Sequence, residues 1–337
     1  MKDYFSYEIF RQVGVPAPLT SYVWLTVNGS DQGLYMAVED EDKSFLGRIN
    51  DGKGVIYKPE SADVELSMGK IKDLMENGLP APKAAHGADF IYTDDDPGSY
   101  PDIFENIETP AEEKDNLMVI AAMRSLSEGK DLQTFLDTEE IIRYFAAHNF
   151  VLNYDSYTGT MLHNLILFEN DGRLSVFPWD YNLSFGAFIG VIGDEALLNA
   201  TDILNRGIDS PLIGAEEDSR PLWRWIVRDD SYLKQYHDAL NTLITEYFAS
   251  GKFEKEVSDL SSMLLPYVEK DPTAFYTADE FRSACIVFAK FGIRRAESIR
   301  KQLSGELASF SDEQDSQDKV DASDLPIIDM GAGVLKI

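Results

Sequence analysis

Cysteine, histidine and positive charge are scarce in this chain of 337 residues. A single cysteine, Cys285, excludes an internal disulfide framework and a cysteine-rich zinc site. Four scattered histidines argue against a histidine-based metal centre. Lys and Arg number 30 against 59 Asp and Glu, a formal net charge of −29. Such a surface repels phosphate backbones and anionic headgroups, which argues against binding to nucleic acid or anionic membrane by bulk charge and favours cations or basic partners. No uninterrupted apolar run is long enough to span a bilayer, and no N-terminal signal pattern is present. What is there is ordinary for a globular protein: 44% hydrophobic and 26% charged residues, enough for one large or two modest domains with a real core.

The stretch that organises the rest runs from Asn149 to Gly186. It reads as a helix end, a loop carrying Asp155, and a hairpin with strands Leu165–Glu169 and Arg173–Trp179 around Asn170-Asp171-Gly172. A three-residue loop would set Glu169 against Arg173 and Asn164 against Pro178, pairing opposite charges and keeping one face apolar; a two-residue loop would set Glu169 against Leu174. The first register is expected. It leaves Asn164 and Asp180 at the open end of the hairpin, near the loop that brings Asp155. Two carboxylates and an amide oxygen converging there can hold a hard divalent cation and leave one carboxylate for chemistry.

Taken in order, the chain opens in an amphipathic helix over residues 3–13, with Phe5, Ile9, Phe10 and Val13 on one stripe, so a segment before it is expected. Strands follow at Ser21–Val27 and Leu34–Glu39 across an Asn28–Gly33 turn, then a helix at Asp42–Leu46 and a third strand at Gly54–Lys58. These read as one small antiparallel sheet with Lys58 on its last strand. Helices are expected at Ile71–Asn77, from Thr109-Pro110-Ala111-Glu112 to Ser127, and at Thr138–Asn153. Asp94-Asp95-Asp96 reads as a solvated acidic loop in preference to a calcium loop, because its glycine is misplaced. Gly186–Pro211 is the place for a substrate-facing loop. Beyond it the pattern is helical: Leu222–Arg228, Ser231–Ser250, Phe253–Lys270, Ala278–Gly292 and Arg294–Leu303. Residues 305–337 read as an acidic, disordered tail.

Motifs along the chain are Gly14-Val15-Pro16-Ala17-Pro18, Val27-Asn28-Gly29, Gly33-Leu34-Tyr35 with Glu39, and Tyr57-Lys58-Pro59. Further on stand Asn153-Tyr154-Asp155, His163-Asn164, Pro178-Trp179-Asp180-Tyr181-Asn182 with Phe185-Gly186, then Arg294-Arg295-Ala296 and Gln302-Leu303. In order and spacing, over about residues 1–304, this resembles the CotH family of spore-coat kinases, an atypical branch of the protein-kinase-like proteins. The resemblance implies an α+β, protein-kinase-like two-lobed fold. The small antiparallel β lobe with its connection would occupy about 1–108, shortened at its N-terminus, and a mainly helical large lobe 109–304. It implies ATP and Mg²⁺ or Mn²⁺, transfer of the γ-phosphate to serine or threonine of a protein, and a spore-coat or surface location. Asp155 would be the catalytic aspartate, Asn164 and Asp180 the metal residues, and Lys58 the phosphate-binding lysine with Glu39 as its ion-pair partner.

Each residue also has a plainer reading. Lys58 by position is an exposed edge-strand lysine, Asp155 a turn aspartate, and Glu39 one of the solvated acidic cluster ending at Asp42. Asn182 reads as a turn residue, His148 and His163 as packing or hydrogen-bonding residues, and Trp179 and Phe185 as core. Asp155 and Asn164 are nine apart where protein kinases place them five apart, so Ser156–His163 must bulge. The acidic surface suits a basic, serine-rich protein substrate. The rival readings are a catalytically weak, adhesin-like binding module and, behind it, a hydrolase using Asp155 and Asp180 as acid and base.

Overall fold

A computed structural model of the chain describes residues 1–60, 86–188 and 199–331. The longer elements are α1 (Lys2–Gln12), β1 (Thr20–Val27), β2 (Ser30–Val38), α2 (Lys43–Asn50), β3 (Val55–Tyr57), α3 (Glu113–Glu128) and α4 (Thr138–Val151). They continue with β4 (Leu165–Asn170), β5 (Arg173–Pro178), α5 (Pro221–Val227), α6 (Asp230–Leu243), α7 (Lys252–Val268) and α8 (Ala278–Ser304). This is an α+β chain with small antiparallel sheets. The helix expected at Ile71–Asn77 lies outside the described residues, as do residues 189–198 of the expected substrate-facing loop.

The chain forms two compact units, each assembled from separate stretches. The first comprises Met1–Pro18, Asp40–Ser184 and Pro211–Leu240. Its sheet has the order β3-β4-β5. Here the sequence reading needs two corrections. The strand carrying Lys58 does not join β1 and β2; Val55, Ile56 and Tyr57 pair with Glu169, Phe168 and Leu167. All three β3 side chains are buried, and three consecutive buried residues need cover on both faces; Tyr57 meets the Phe104 ring at 5.9 Å and donates to Asn116 Oδ1 at 3.0 Å. The hairpin also takes the two-residue register, with Glu169 opposite Leu174 and Asn170 opposite Arg173. Asp171 and Gly172 both have positive φ, +50° and +82°, the tight turn whose twist matches that of the strands. Turn geometry outweighs the expected Glu169–Arg173 pairing. Glu169 instead accepts the Gly172 amide at 3.0 Å. The apolar-face argument fails too, because β4 and β5 are buried on both faces.

Helices complete this unit. The α1 stripe of Phe5, Ile9 and Phe10 is buried, and α1 packs on α4, which in turn packs on β5. The capping of α3 falls at Glu112 with Asp115, three residues later than expected, because Thr109 Oγ1 accepts the Ile56 amide of β3 at 2.9 Å. The Asp94–Asp96 run caps its own turn: Asp94 and Asp96 accept the amides of Asp96 and Gly98, and Asp95 pairs with Arg124.

The second unit comprises Leu19–Glu39, Phe185–Ser210 and Asn241–Ile337. The β1–β2 hairpin turns at Asn28-Gly29, tighter than the expected Asn28–Gly33 turn. Where two helices were expected, α8 is a single 27-residue helix. Gly292 is no breaker: a Cβ there would stand 2.5 Å from the Phe253 ring, so the glycine serves close helix packing. Residues 305–331 are not a disordered tail. Leu307, Val320, Ala322, Leu325 and Ile327 are buried, Val320 exchanges hydrogen bonds with the Asn205 side chain, and Lys319 pairs with Asp202 at 2.7 Å.

Candidate functional site

The site lies in the first unit, at the end of the three-stranded sheet where β4 begins and β5 ends. Because β3 runs antiparallel to β4 and its Tyr57 faces Leu167, Lys58 follows toward that same end. It is not an exposed edge-strand lysine: the residue is 9% exposed. Its Nζ stands 2.9 Å from Glu41 Oε2 and 4.0 Å over the centre of the Trp179 ring, a cation held between a carboxylate and an aromatic face. The ion-pair partner is therefore Glu41 and not Glu39. Glu39 accepts the Leu19 amide at 3.0 Å, closing the ends of the β1–β2 hairpin. Glu41 is 1% exposed; burial pushes its carboxyl above the usual range, and Lys58 opposes that rise.

Asp155 sits in the loop after α4, which ends at Leu152 with a left-handed backbone. Both carboxylate oxygens are engaged. Oδ1 lies 2.7 Å from His163 Nε2, and Oδ2 accepts from Asn164 Nδ2 at 3.0 Å. The same Nδ2 donates to the Asp155 carbonyl at 2.6 Å, so Asn164 ties the loop's two ends together. Asn153, with no exposure, adds a second tie: its Oδ1 accepts the Asp155 amide at 3.3 Å and its Nδ2 donates to the Asp180 carbonyl at 3.5 Å.

The intervening residues 156–163 bulge as their spacing requires, and the bulge is pinned. Arg220, 2% exposed, donates through Nε to the Tyr157 carbonyl at 2.8 Å and through an Nη to the Gly159 carbonyl at 2.7 Å. Gly159 is obligatory, since a Cβ would lie 1.9 Å from the Tyr154 carbonyl oxygen. His148 is a core hydrogen-bonding residue, 2.7 Å from both Tyr181 Oη and Thr158 Oγ1. Burial holds its ring down to about 3, so it is neutral at physiological pH.

Asp180 follows β5. Its φ is +47°, and Asn164 and Leu162 are also left-handed, at +58° each. Non-glycine residues adopt this backbone only where their surroundings hold it, and they cluster at functional sites. Burial pushes the Asp180 carboxyl up, the Asn182 amide draws it back, and neighbouring Asp155 adds to the rise. Asn182 thus acts as a turn residue through its backbone. Phe185 belongs to the second unit and is core there, 4.6 Å from the Phe288 ring of the same unit. Trp179 departs from expectation: it is half-buried and forms the platform under Lys58.

Among the described residues, no three acidic, histidine or cysteine side chains form a ready metal cage. The donors are nevertheless suited to a hard ion. Asp180 and Asn164 offer oxygen, and the mutual repulsion of Asp180 and Asp155 is charge that a cation would relieve. Mg²⁺ takes one or two protein carboxylates and completes its shell with water and ligand phosphates, so these residues fit an ion shared with a phosphate ligand.

Sequence reasoning missed four contributors. Asn153 was visible in its motif but without a role. Glu41 was indistinguishable from its acidic neighbours. Asp3 and Tyr7 belong to α1; burial and the nearby Asp180 push the Asp3 carboxyl up to about 6, and the Asp180 amide donates to Tyr7 Oη. The available signal was polar residues beside the apolar stripe of α1.

Comparison with known proteins gives a family and relatives. The family described as CotH kinase protein matches residues 1–299. Inner spore coat protein H of Bacillus subtilis (strain 168) is 21% identical over 311 residues, which span 90% of this chain and 75% of that protein. Inner spore coat protein H-like protein of the same organism is 42% identical over 40 residues, 12% of this chain and 13% of the relative.

Proposed function

The chain belongs to the CotH kinase protein family, and from that premise we propose that it is an atypical protein kinase with a two-lobed, kinase-like architecture. It transfers the γ-phosphate of ATP to serine or threonine hydroxyls of a protein. The observation that carries this reading is the buried Lys58–Glu41 pair at the same sheet end as Asp155, Asn164 and Asp180. Phosphoryl transfer asks mainly for positioning and charge neutralisation. Lys58, oriented by Glu41 and Trp179, binds phosphate oxygens. Asp180 and Asn164 hold Mg²⁺ or Mn²⁺, which when bound neutralises charge on the phosphates. Asp155 orients the acceptor hydroxyl and takes its proton, while His163 and Asn164 fix the direction of its carboxylate. The net charge of −29 suits a basic, serine-rich substrate, and the spore-coat relative makes a coat or surface protein the natural class.

One feature favours a second reading. Both oxygens of Asp155 are already engaged, which suits a protein that holds nucleotide or a partner without transferring phosphate. A two-carboxylate hydrolase, in contrast, gives the Lys58–Glu41 pair no task.

Transfer from labelled ATP with Mg²⁺ or Mn²⁺ to a serine-rich basic peptide, and to the protein itself, tests the proposal. Wild type is expected to label the acceptor, and Asp155→Ala to lose about 10²–10⁴-fold, the usual worth of a general base. Asp180→Ala is expected to lose label as well. Absence of label from wild type, with ATP still raising the melting temperature, would favour the binding module. Absence of both would remove nucleotide from the account.

A further inference from the structure

The backbone immediately after β5 is held from one side by α1. The Asp180 amide donates to Tyr7 Oη, and the next amide, that of Tyr181, donates to the Asp3 carboxylate. Asp3 and Tyr7 are four apart, so they share one face of the helix. Between them Ser6 Oγ meets Ser184 Oγ at 2.9 Å, and the Phe10 ring stands edge-on to Tyr181 at 5.1 Å. From the opposite side Tyr181 Oη meets His148 Nδ1 at 2.7 Å and Tyr144 Oη at 3.1 Å. Inside this collar Asp180 keeps its left-handed backbone, with its carboxylate folded over the Asn182 amide.

Two properties set Asp3 and Tyr7 apart from packing residues. They serve two consecutive amides, that of Asp180 and that of Tyr181 directly after it. Asp3 is also poorly placed for stability alone: the residue is half-buried, and its Oδ1 is buried and receives no hydrogen bond among the described residues. An acid in that setting is costly unless its acceptor oxygen has a use.

We propose that Asp3 and Tyr7 are positioning residues that hold the Asp180–Tyr181 backbone so that the Asp180 carboxylate is aimed as a divalent-cation ligand. The proposal rests on the reading of Asp180 as a metal residue. Both residues act through Asp180 and touch neither ion nor nucleotide. Their operative part is the hydrogen bond each accepts. Losing such an outer partner weakens metal binding by about 10–100-fold.

The test is Mn²⁺ affinity, measured from the electron paramagnetic resonance of the free ion in the presence of a non-hydrolysable ATP analogue. Tyr7→Phe, Asp3→Ala and Asp3→Asn are compared with wild type and Asp180→Ala. Amide hydrogen exchange over residues 180–184 is followed alongside. Tyr7→Phe and Asp3→Ala are expected to weaken Mn²⁺ binding about tenfold or more and to speed exchange of the Asp180 and Tyr181 amides, respectively. Asp3→Asn, whose side-chain carbonyl still accepts the Tyr181 amide, is expected to restore both towards wild type. Wild-type Mn²⁺ affinity in Tyr7→Phe and Asp3→Ala, with only the melting temperature lowered, would reduce the collar to packing and overturn the proposal. So would a loss in Asp3→Asn equal to that in Asp3→Ala, since charge and not the hydrogen bond would then be operative. Equal binding by wild type and Asp180→Ala would sink the metal reading of Asp180 itself, and the proposal with it.

Discussion

The two hairpins turn alike and are covered differently. Asn28-Gly29 joins β1 to β2 and Asp171-Gly172 joins β4 to β5, in both cases with two consecutive positive φ angles. Yet β1–β2 leaves one face open, with Val23, Leu25 and Tyr35 each more than a third exposed, while its other face sets Trp24 against Tyr267. The apolar residues of β4 and β5 are buried on both faces, and the candidate site forms at that sheet's end. Local turn chemistry therefore dictates that a hairpin forms and with which register. The cover decides how rigidly its ends are held, and only the doubly covered hairpin carries site residues that must be fixed.

Substitutions can break or sharpen that contrast. The largest effect is expected at Phe177 of β5, whose ring packs against Phe168 and Phe45 at 5.2 and 6.2 Å. Phe177→Ala should cost about 3–5 kcal/mol in urea unfolding; a loss no larger than at an exposed position would erase the distinction between the hairpins. Next comes Glu140 of α4, which reaches Ser175 of β5 at 3.4 Å and whose carboxyl burial pushes up to about 7. An acid raised in this way favours the folded state only while protonated, so stability should fall as pH rises from its unfolded value of 4.5 through about 7. Glu140→Gln should remove that slope and gain at most about 3 kcal/mol at pH 8, with little change at pH 4. Thermal melts across this range decide it, and an unchanged slope would refute the assignment.

Smaller effects test the shared feature. Gly29 and Gly172 both have positive φ, and a Cβ on either meets nothing within 4 Å. Gly29→Ala and Gly172→Ala should therefore cost the same, about 1–2 kcal/mol each. Unequal losses would mean that the cover reaches the turns. Least of all, Val23→Thr on the open face should stay within about 0.5 kcal/mol of wild type; a larger loss would show that this face is covered after all.

How much was legible in the sequence follows the same division. The places of the two hairpins and the ends of α1, α4 and α7 were readable because they depend on neighbours in the chain, although both turns, Asn28-Gly29 and Asp171-Gly172, are shorter than expected. Asp155, Asn164 and Asp180 could be brought together because one hairpin links them. The hairpin register was misread because an attractive charge pair was set above turn geometry. Lys58 was given to the wrong sheet because β3 is too short to show which strand it prefers. Glu39 was chosen over Glu41 because only burial separates two acids two residues apart. Residues 305–331 looked disordered because the run from Ser311 to Lys319 is wholly polar and rich in acids, but Val320, Ala322 and Leu325 are spaced closely enough to dock. Asp3 and Tyr7 were out of reach for a further reason: the residues they serve are far along the chain.

That separation has a kinetic side. Ser6 and Ser184 touch across 178 positions, so α1 is synthesised long before the segment it grips. At about 5–20 residues per second on the ribosome, the wait is on the order of ten seconds or more. A helix of 11 residues is marginal in isolation, and closing so long a loop is slow compared with forming a hairpin. The β4–β5 ribbon can therefore form early, with Asp180 as an ordinary chain end, and the aspartate acquires its final conformation only when α1 docks. Acquisition of the site is thus a late folding event, timed by long-range closure rather than by the local hairpin that appears to define it.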